Sequence, residues 1–373
     1  MGVIKNTIVM NYKKSVFLLL AALFFGTATE AQLYTKKVSK SYRINSNTTI
    51  DIFNKYGKVH IVTWDIDSVK FKVDLRIKTN NETKLRKLKE SISFDFTGTD
   101  YYVVAKTRLG KKSAGVFTDI IDIAGTIISS ENQVTIDYLV LLPKYANFKI
   151  ENKFGDIYTD DLDGNVNIIL SNGDLKANNL NGNTVISISS GDGVINSIRD
   201  GKVTVSYSDF YIKEANKLNI DSRSSKINID KVDFLKLNSR RDKLYIQSIN
   251  DLYGDSYFSD FTVYKLNNEL NYSFKYGDFS AGIINRFFSF ININSEYTDL
   301  DLIFEKGSAY VIDITHHQDV ILNYPVHLAK TDEKVLNESE RLLSTYGKIG
   351  YGSPLSKVKI NAPKKCIVNI VHK

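Results

Sequence analysis

Apolar residues fall into three columns along most of this chain, and the columns recur at a short and nearly constant interval. Eleven short segments mark the register: KYGKV (55–59), KFGDI (153–157), SNGDL (171–175), SSGDG (189–193), SYSDF (206–210), RSSKI (223–227), RRDKL (240–244), YFSDF (257–261), KYGDF (275–279), EYTDL (296–300) and TYGKI (345–349). From the third residue of the second segment the steps are 18, 18, 17, 17, 17, 17, 18, 21 and 49. Two residues after that position the chain is apolar, as at Ile157, Leu175, Phe210, Ile227 and Leu244, with a break at Gly193. Five residues before it a second column holds Ile150, Ile168, Ile186, Val203, Ile220 and Leu237, with a break at Gly254. Seven residues after it a third holds Leu162, Leu180, Ile198, Val232, Ile249 and Leu266.

Three apolar columns per repeat predict three short strands facing one axis. The fold class is therefore all-β: a single-chain parallel β-solenoid with coils of 17–18 residues, capped at both ends. One coil cannot cover its own inward side chains. Its neighbours must, at about 1.5–3 kcal/mol for each large apolar residue buried. Asn or Asp follows the third column at 163, 181, 216, 233, 250, 267 and 285, with Arg199 the exception. Such residues tolerate left-handed backbone, which predicts a corner there. Between Pro143 and Pro325 there is no proline, as a ladder that uses every amide requires. The columns do not fix handedness; a right-handed winding is preferred.

The ends depart from the period. Residues 1–31 read as a signal peptide: Lys13 and Lys14 precede the apolar run 16–25, and cleavage is expected after Ala31. A run of ten is too short to span a bilayer, so no transmembrane span is expected after cleavage. Residues 32–142 read as an N-terminal cap and first coils, with a helix near 81–92 and an inserted loop over 108–132. Residues 143–304 form the regular array, and 305–373 the C-terminal coils and cap, with a helix expected over Glu333–Ser344. A solenoid needs such caps because open strand edges recruit other chains.

The opening IDIFNKYGKVHIVTWDIDSVKFKV (50–73), a helix, and then repeated S-x-G-D-hydrophobic segments resemble the adhesin-like β-strand-repeat family of exported bacterial proteins, the GIN-domain-like β-solenoids. The likeness covers about residues 40–304. It implies an exported solenoid of the periplasm, outer-membrane surface or extracellular space, with adhesion as the associated role. It brings no catalytic residues with it.

Composition narrows the chemistry. The net charge is +7, and +5 once residues 1–31 leave with three lysines and one glutamate. Without a basic cluster interleaved with aromatics, nucleic acid is set aside as a partner. Cys366 is alone, so neither an internal disulfide nor a cysteine-built metal site is available, and a buried inert thiol is expected. His316, His317 and Asp319 are close in sequence, but adjacent side chains on a strand face opposite ways. No motif of nucleophilic or phosphate chemistry occurs.

Two columns carry the candidate chemistry. The residue before the third position is aromatic in seven of eleven segments, and Tyr207, Phe258, Tyr276 and Tyr297 are the candidate binding residues for a glycan or a surface protein. Rings beside carboxylates suit sugars, whereas a corner that folds the rings inward to stack as core is the simpler expectation. The residue after the third position is charged throughout, and Asp156, Asp174, Asp192 and Asp209 form a like-charge ladder over successive coils. A solvated acidic edge is the simpler reading of it. Weak calcium stabilisation is the sharper one, with Asn172, the Ser189 hydroxyl and carbonyls adding oxygens. No other cofactor is implied. A non-enzymatic binding solenoid is thus the first functional reading. A polysaccharide-degrading β-helix enzyme built on Asp242 and Asp260 with Arg240 and Arg241 is the alternative, and a structural or envelope-stress role the third. Oligomeric state is not legible.

Overall fold

The computed structural model describes residues 32–110 and 132–373. The expected signal peptide and residues 111–131 of the expected inserted loop lie outside the described residues. The described chain is all-β apart from one α-helix and a short 3-10 turn, and its strands join in one 22-stranded, mostly parallel sheet. Two compact units divide it. In the smaller one, the helix Glu82–Ser91 starts where the Asn81 side chain accepts from the Lys84 amide at 3.0 Å, and it buries Leu88 and Ser91. The larger one comprises Lys36–Leu75, Ile92–Leu109 and Thr135–Lys373 and carries the repeats.

Each repeat pairs in parallel with the one before and the one after, column on column. Ile150 lies beside Ile168, then Ile186, Val203, Ile220 and Leu237. Ile157, Leu175, Gly193, Phe210, Ile227 and Leu244 follow in the same way. All but Gly193 are 1% exposed or less. The offset falls from 18 to 17 between Leu180 and Asn183, at a register shift in the ladder, so the extra residue is absorbed locally and the columns survive. The break at Gly193 is filled from the next repeat: a Cβ there would lie 2.1 Å from the Phe210 ring. At Gly254, with φ +136°, a Cβ would lie 2.0 Å from the Leu237 carbonyl oxygen, which instead accepts from the Tyr272 hydroxyl at 2.9 Å.

The third position of the segments is glycine or a buried polar residue, the latter at Ser208, Ser225, Asp242, Ser259 and Thr298. Its side chains extend the ladder round a bend where the backbone alone does not. The Gly191 and Ser208 amides donate to the Ser208 and Ser225 hydroxyls at 3.3 Å, the Ser225 amide to Asp242 at 2.7 Å, and the Asp242 amide to Ser259 at 3.1 Å. A buried amide left without an acceptor would cost about 1–3 kcal/mol, which accounts for Ser or Asp at these four positions.

Both ends break sequence order. Thr49–Lys55 and Val59–Thr63 lie beside Asn147–Lys153 and Ile157–Thr159, with Tyr102–Leu109 and Asn132–Leu142 on their other side. Two segments that pair directly are therefore separated in sequence by residues 64–146. At the other end Ser356–Ala362 runs between Phe290–Phe304 and Tyr310–His317, so the C-terminal repeat inserts between two earlier ones. Two expectations are corrected here. Residues 329–349 form an antiparallel hairpin, Ala329–Asn337 with Leu342–Ile349, packed on Tyr310–His317, so no helix covers Glu333–Ser344. Hydrogen bonds from the Ser339 hydroxyl and Glu340 amide to the Asn337 side chain close its turn. TYGKI (345–349) lies in that hairpin and is not a further parallel repeat. The expected left-handed corner at the Asn/Asp column is also displaced: positive φ falls on the column that includes Tyr207. The Asn/Asp column instead hydrogen-bonds to itself, as in Asn181 to Asp163 at 2.8 Å and Asn267 to Asn250 at 2.9 Å.

The register makes a direct prediction. Ile220 is fully buried while its neighbour Asp221 faces outward, so Ile220→Asp should cost about 4 kcal/mol or more and Asp221→Ala about 1 kcal/mol or less. Denaturant midpoints of the two variants check it, and equal losses would contradict the register.

Candidate functional site

The ring column sits at a bend that the backbone takes in left-handed conformation. From Tyr56 to Tyr297 all ten members have φ between 51° and 61°. A non-glycine residue there costs about 1–2 kcal/mol, and Asn or Gly meets the demand most cheaply. This chain uses Asn172 and Ser190 in two repeats but Tyr, Phe or Arg in most of the others.

The bend throws these side chains outward. Phe258 is 52% exposed, Tyr297 48% and Tyr207 59%, so the inward-folding expectation is corrected: the rings stack, but on the surface. Phe258 and Tyr276 lie 4.7 Å apart at 10° between planes, and Tyr276 and Tyr297 5.3 Å apart at 2°. Tyr257 closes on Phe258 and Tyr276 edge to face. Three of the four candidate rings thus form one platform. Tyr207 stands apart, because Ser224 and Arg241 occupy the two intervening positions of the column. A second stack joins Tyr56 to Phe154 at 5.3 Å. Lys275 lies over Tyr257 and Tyr276 and pairs with Glu296 at 2.9 Å.

Next to Phe258 the surface changes character. Arg223, Arg240 and Arg241 line a cleft of about 430 Å³ with Asp255, Tyr257 and Phe258. Arg223, Arg240 and Tyr257 are register partners in three successive repeats. Among the described residues none of these three arginines takes part in an ion pair. The sequence pattern marked Arg240 and Arg241 but missed Arg223 and Tyr257. The signal was present, two residues before the third position, in a column not followed.

The acid pair of the enzymatic alternative is not assembled. Asp242 is 2% exposed, accepts from the Ser225 amide at 2.7 Å, the Ser239 hydroxyl at 2.7 Å and the Arg240 amide at 3.0 Å, and burial raises its pKa. Asp260 is exposed, and neither carboxylate lines the arginine cleft. Cys366 is buried, with its thiol pushed up to about 11 by burial. His316 is buried against Thr345, while the His317 ring accepts from the Asp319 amide.

The acidic ladder has its own structural use. Asp156 accepts from the Asp174 amide and Asp174 from the Asp192 amide, both at 3.0 Å, and Asp192 from the Asp209 amide at 3.4 Å. One carboxylate oxygen of each is thereby turned along the repeats. Among the described residues no three His, Cys, Asp or Glu side chains converge as a metal cluster.

No protein-family model and no curated protein matches the sequence. Among solved structures, a putative cell adhesion protein from Clostridium sporogenes shares 11% identity over 91% of this chain and 100% of its own, with a TM-score of 0.17. A putative adhesin from Bacteroides fragilis shares 11% over 90% and 97%, with a TM-score of 0.19. At these TM-scores neither likeness carries an argument.

Replacing a ladder carboxylate separates its two readings. Asp174→Ala should lower stability by about 1 kcal/mol, whereas Asp174→Asn, which keeps an acceptor oxygen, should stay near the native value. Thermal unfolding with calcium and with chelator checks this. A calcium-dependent midpoint that is lost in Asp174→Asn would favour the ion site over the hydrogen-bond ladder.

Proposed function

We propose that the larger unit is a parallel β-solenoid of an exported, non-enzymatic binding protein, and that its edge of stacked rings takes up a glycan. The observation that carries the reading is the platform Phe258, Tyr276 and Tyr297: parallel stacked rings, the two outer ones about half exposed and Tyr276 between them less so, held at left-handed positions where smaller residues are cheaper. Strain of this kind is retained where a surface is in use. The exposed edges of the stacked rings, one per strand spacing, form a continuous strip against which a pyranose chain can lie, and an extended repeat surface offers the length. Among the described residues no helix is long and apolar enough to cross a membrane, so the reading rests on export through the expected leader.

The test is pull-down of the purified chain with insoluble polysaccharides, neutral and charged, followed by analysis of the supernatant for released sugar. Binding without product is expected. Tyr276→Ala and Tyr297→Ala should each weaken it about three- to tenfold, and Tyr276→Ala should also lower the melting temperature because it removes the middle ring of the stack. Soluble product would overturn the non-enzymatic reading, and unchanged binding in both variants would overturn the ring edge.

A further inference from the structure

The stacked platform ends at Phe258, and the arginine cleft begins there; the two are one continuous edge. Arg223, Arg240 and Arg241 are all exposed, and among the described residues none is in an ion pair. Asp255, on the same cleft wall, supplies one opposing carboxylate, which leaves the cleft with a net charge of +2. Exposed guanidinium groups usually find acids close by on a surface that carries both signs. Here the nearest repeats put Glu296 on Lys275 rather than on an arginine, and the Asp242 carboxylate is buried beneath on backbone and serine donors. The geometry is that of a receptor for anions: the guanidinium fork matches a carboxylate in two parallel hydrogen bonds, and low competition from protein acids leaves that fork free.

We infer that this edge binds an acidic polysaccharide, with uronate carboxylates seated on Arg223, Arg240 and Arg241 and the adjoining sugars laid along the exposed edges of the Phe258, Tyr276 and Tyr297 stack. The spacing supports the pairing. Arg223, Arg240 and Tyr257 follow one another at the strand separation of about 4.8 Å, and the rings continue at 4.7 and 5.3 Å. Charged and aromatic sites thus recur at similar intervals in two adjacent columns of one edge, a basic block followed by an aromatic one. The inference rests on the glycan-binding reading above and adds the chemical class of the ligand.

The experiment compares polygalacturonate with neutral dextran and with an oligothymidylate of similar charge, each titrated against the full chain and followed at two salt concentrations. Polygalacturonate should bind more tightly than dextran, with affinity falling as salt rises. Arg223→Gln and Arg240→Gln should each lower it about tenfold, which corresponds to about 1.4 kcal/mol for a charged hydrogen bond, at unchanged melting temperature. Asp255→Asn should raise it, a gain that a merely structural role for the cleft would not give. Arginine variants that leave polygalacturonate binding intact would overturn the inference while the ring edge survives. Equal binding of oligothymidylate, lost in the same variants, would overturn it in favour of a general polyanion patch. Failure of both polysaccharides to bind would overturn the ring-edge reading itself.

Discussion

Parallel pairing of each repeat with the next, in one fixed register, is the constraint on which everything else in the larger unit depends. Once Ile186 must lie beside Val203 and Val203 beside Ile220, each inward column is fixed for every repeat, and a side chain can be spared only if a neighbour fills its place. Phe210 does so for Gly193. The same ladder dictates the polar interior. Amides at the bend need acceptors, and Ser208, Ser225, Asp242 and Ser259 supply them from the next repeat, so the most buried carboxylate in the candidate region is held by the ladder itself.

The proposed binding edge is a by-product of that corner. The tight bend forces one residue per repeat into left-handed backbone and aims its side chain at solvent. Because the repeats are one strand spacing apart, whatever occupies that position is repeated at the interval at which flat rings stack. The residue before it, on the neighbouring outward position, carries the charge: Arg223, Arg240 and Lys275. A binding edge can therefore be written into such a chain without touching a core column, and changed in the same way.

Much of this was legible in the sequence, and what was not has physical reasons. Sequential repeats announce themselves because each contributes the same three columns in order. The two ends do not, because there the spatial neighbour is not the next repeat in the chain: 147–159 pairs with 49–63 across the intervening residues 64–146, and 356–362 inserts between earlier strands. TYGKI mimicked the repeat motif while pairing antiparallel, which residue spacing alone cannot separate. The direction of the ring column depended on one backbone angle. Stacked Tyr and Phe are frequent in cores, so their identity argued for the interior, and the left-handed bend put them outside. The arginine cleft was half visible: Arg240 and Arg241 drew notice as a pair in sequence, but the cleft is a column across repeats and includes Arg223.

The central claim, a parallel register in which Thr204 lies beside Asp221, is tested most directly by cross-linking. In a Cys366→Ser background, Thr204→Cys with Asp221→Cys places two outward thiols on register partners about one strand spacing apart, within the range a disulfide spans. Thr204→Cys with Asn238→Cys places them two repeats apart, beyond it. Mild oxidation followed by mass spectrometry should find an intramolecular disulfide in the first variant and free thiols in the second. A disulfide in the second and none in the first would contradict the register, and with it the edge built on it.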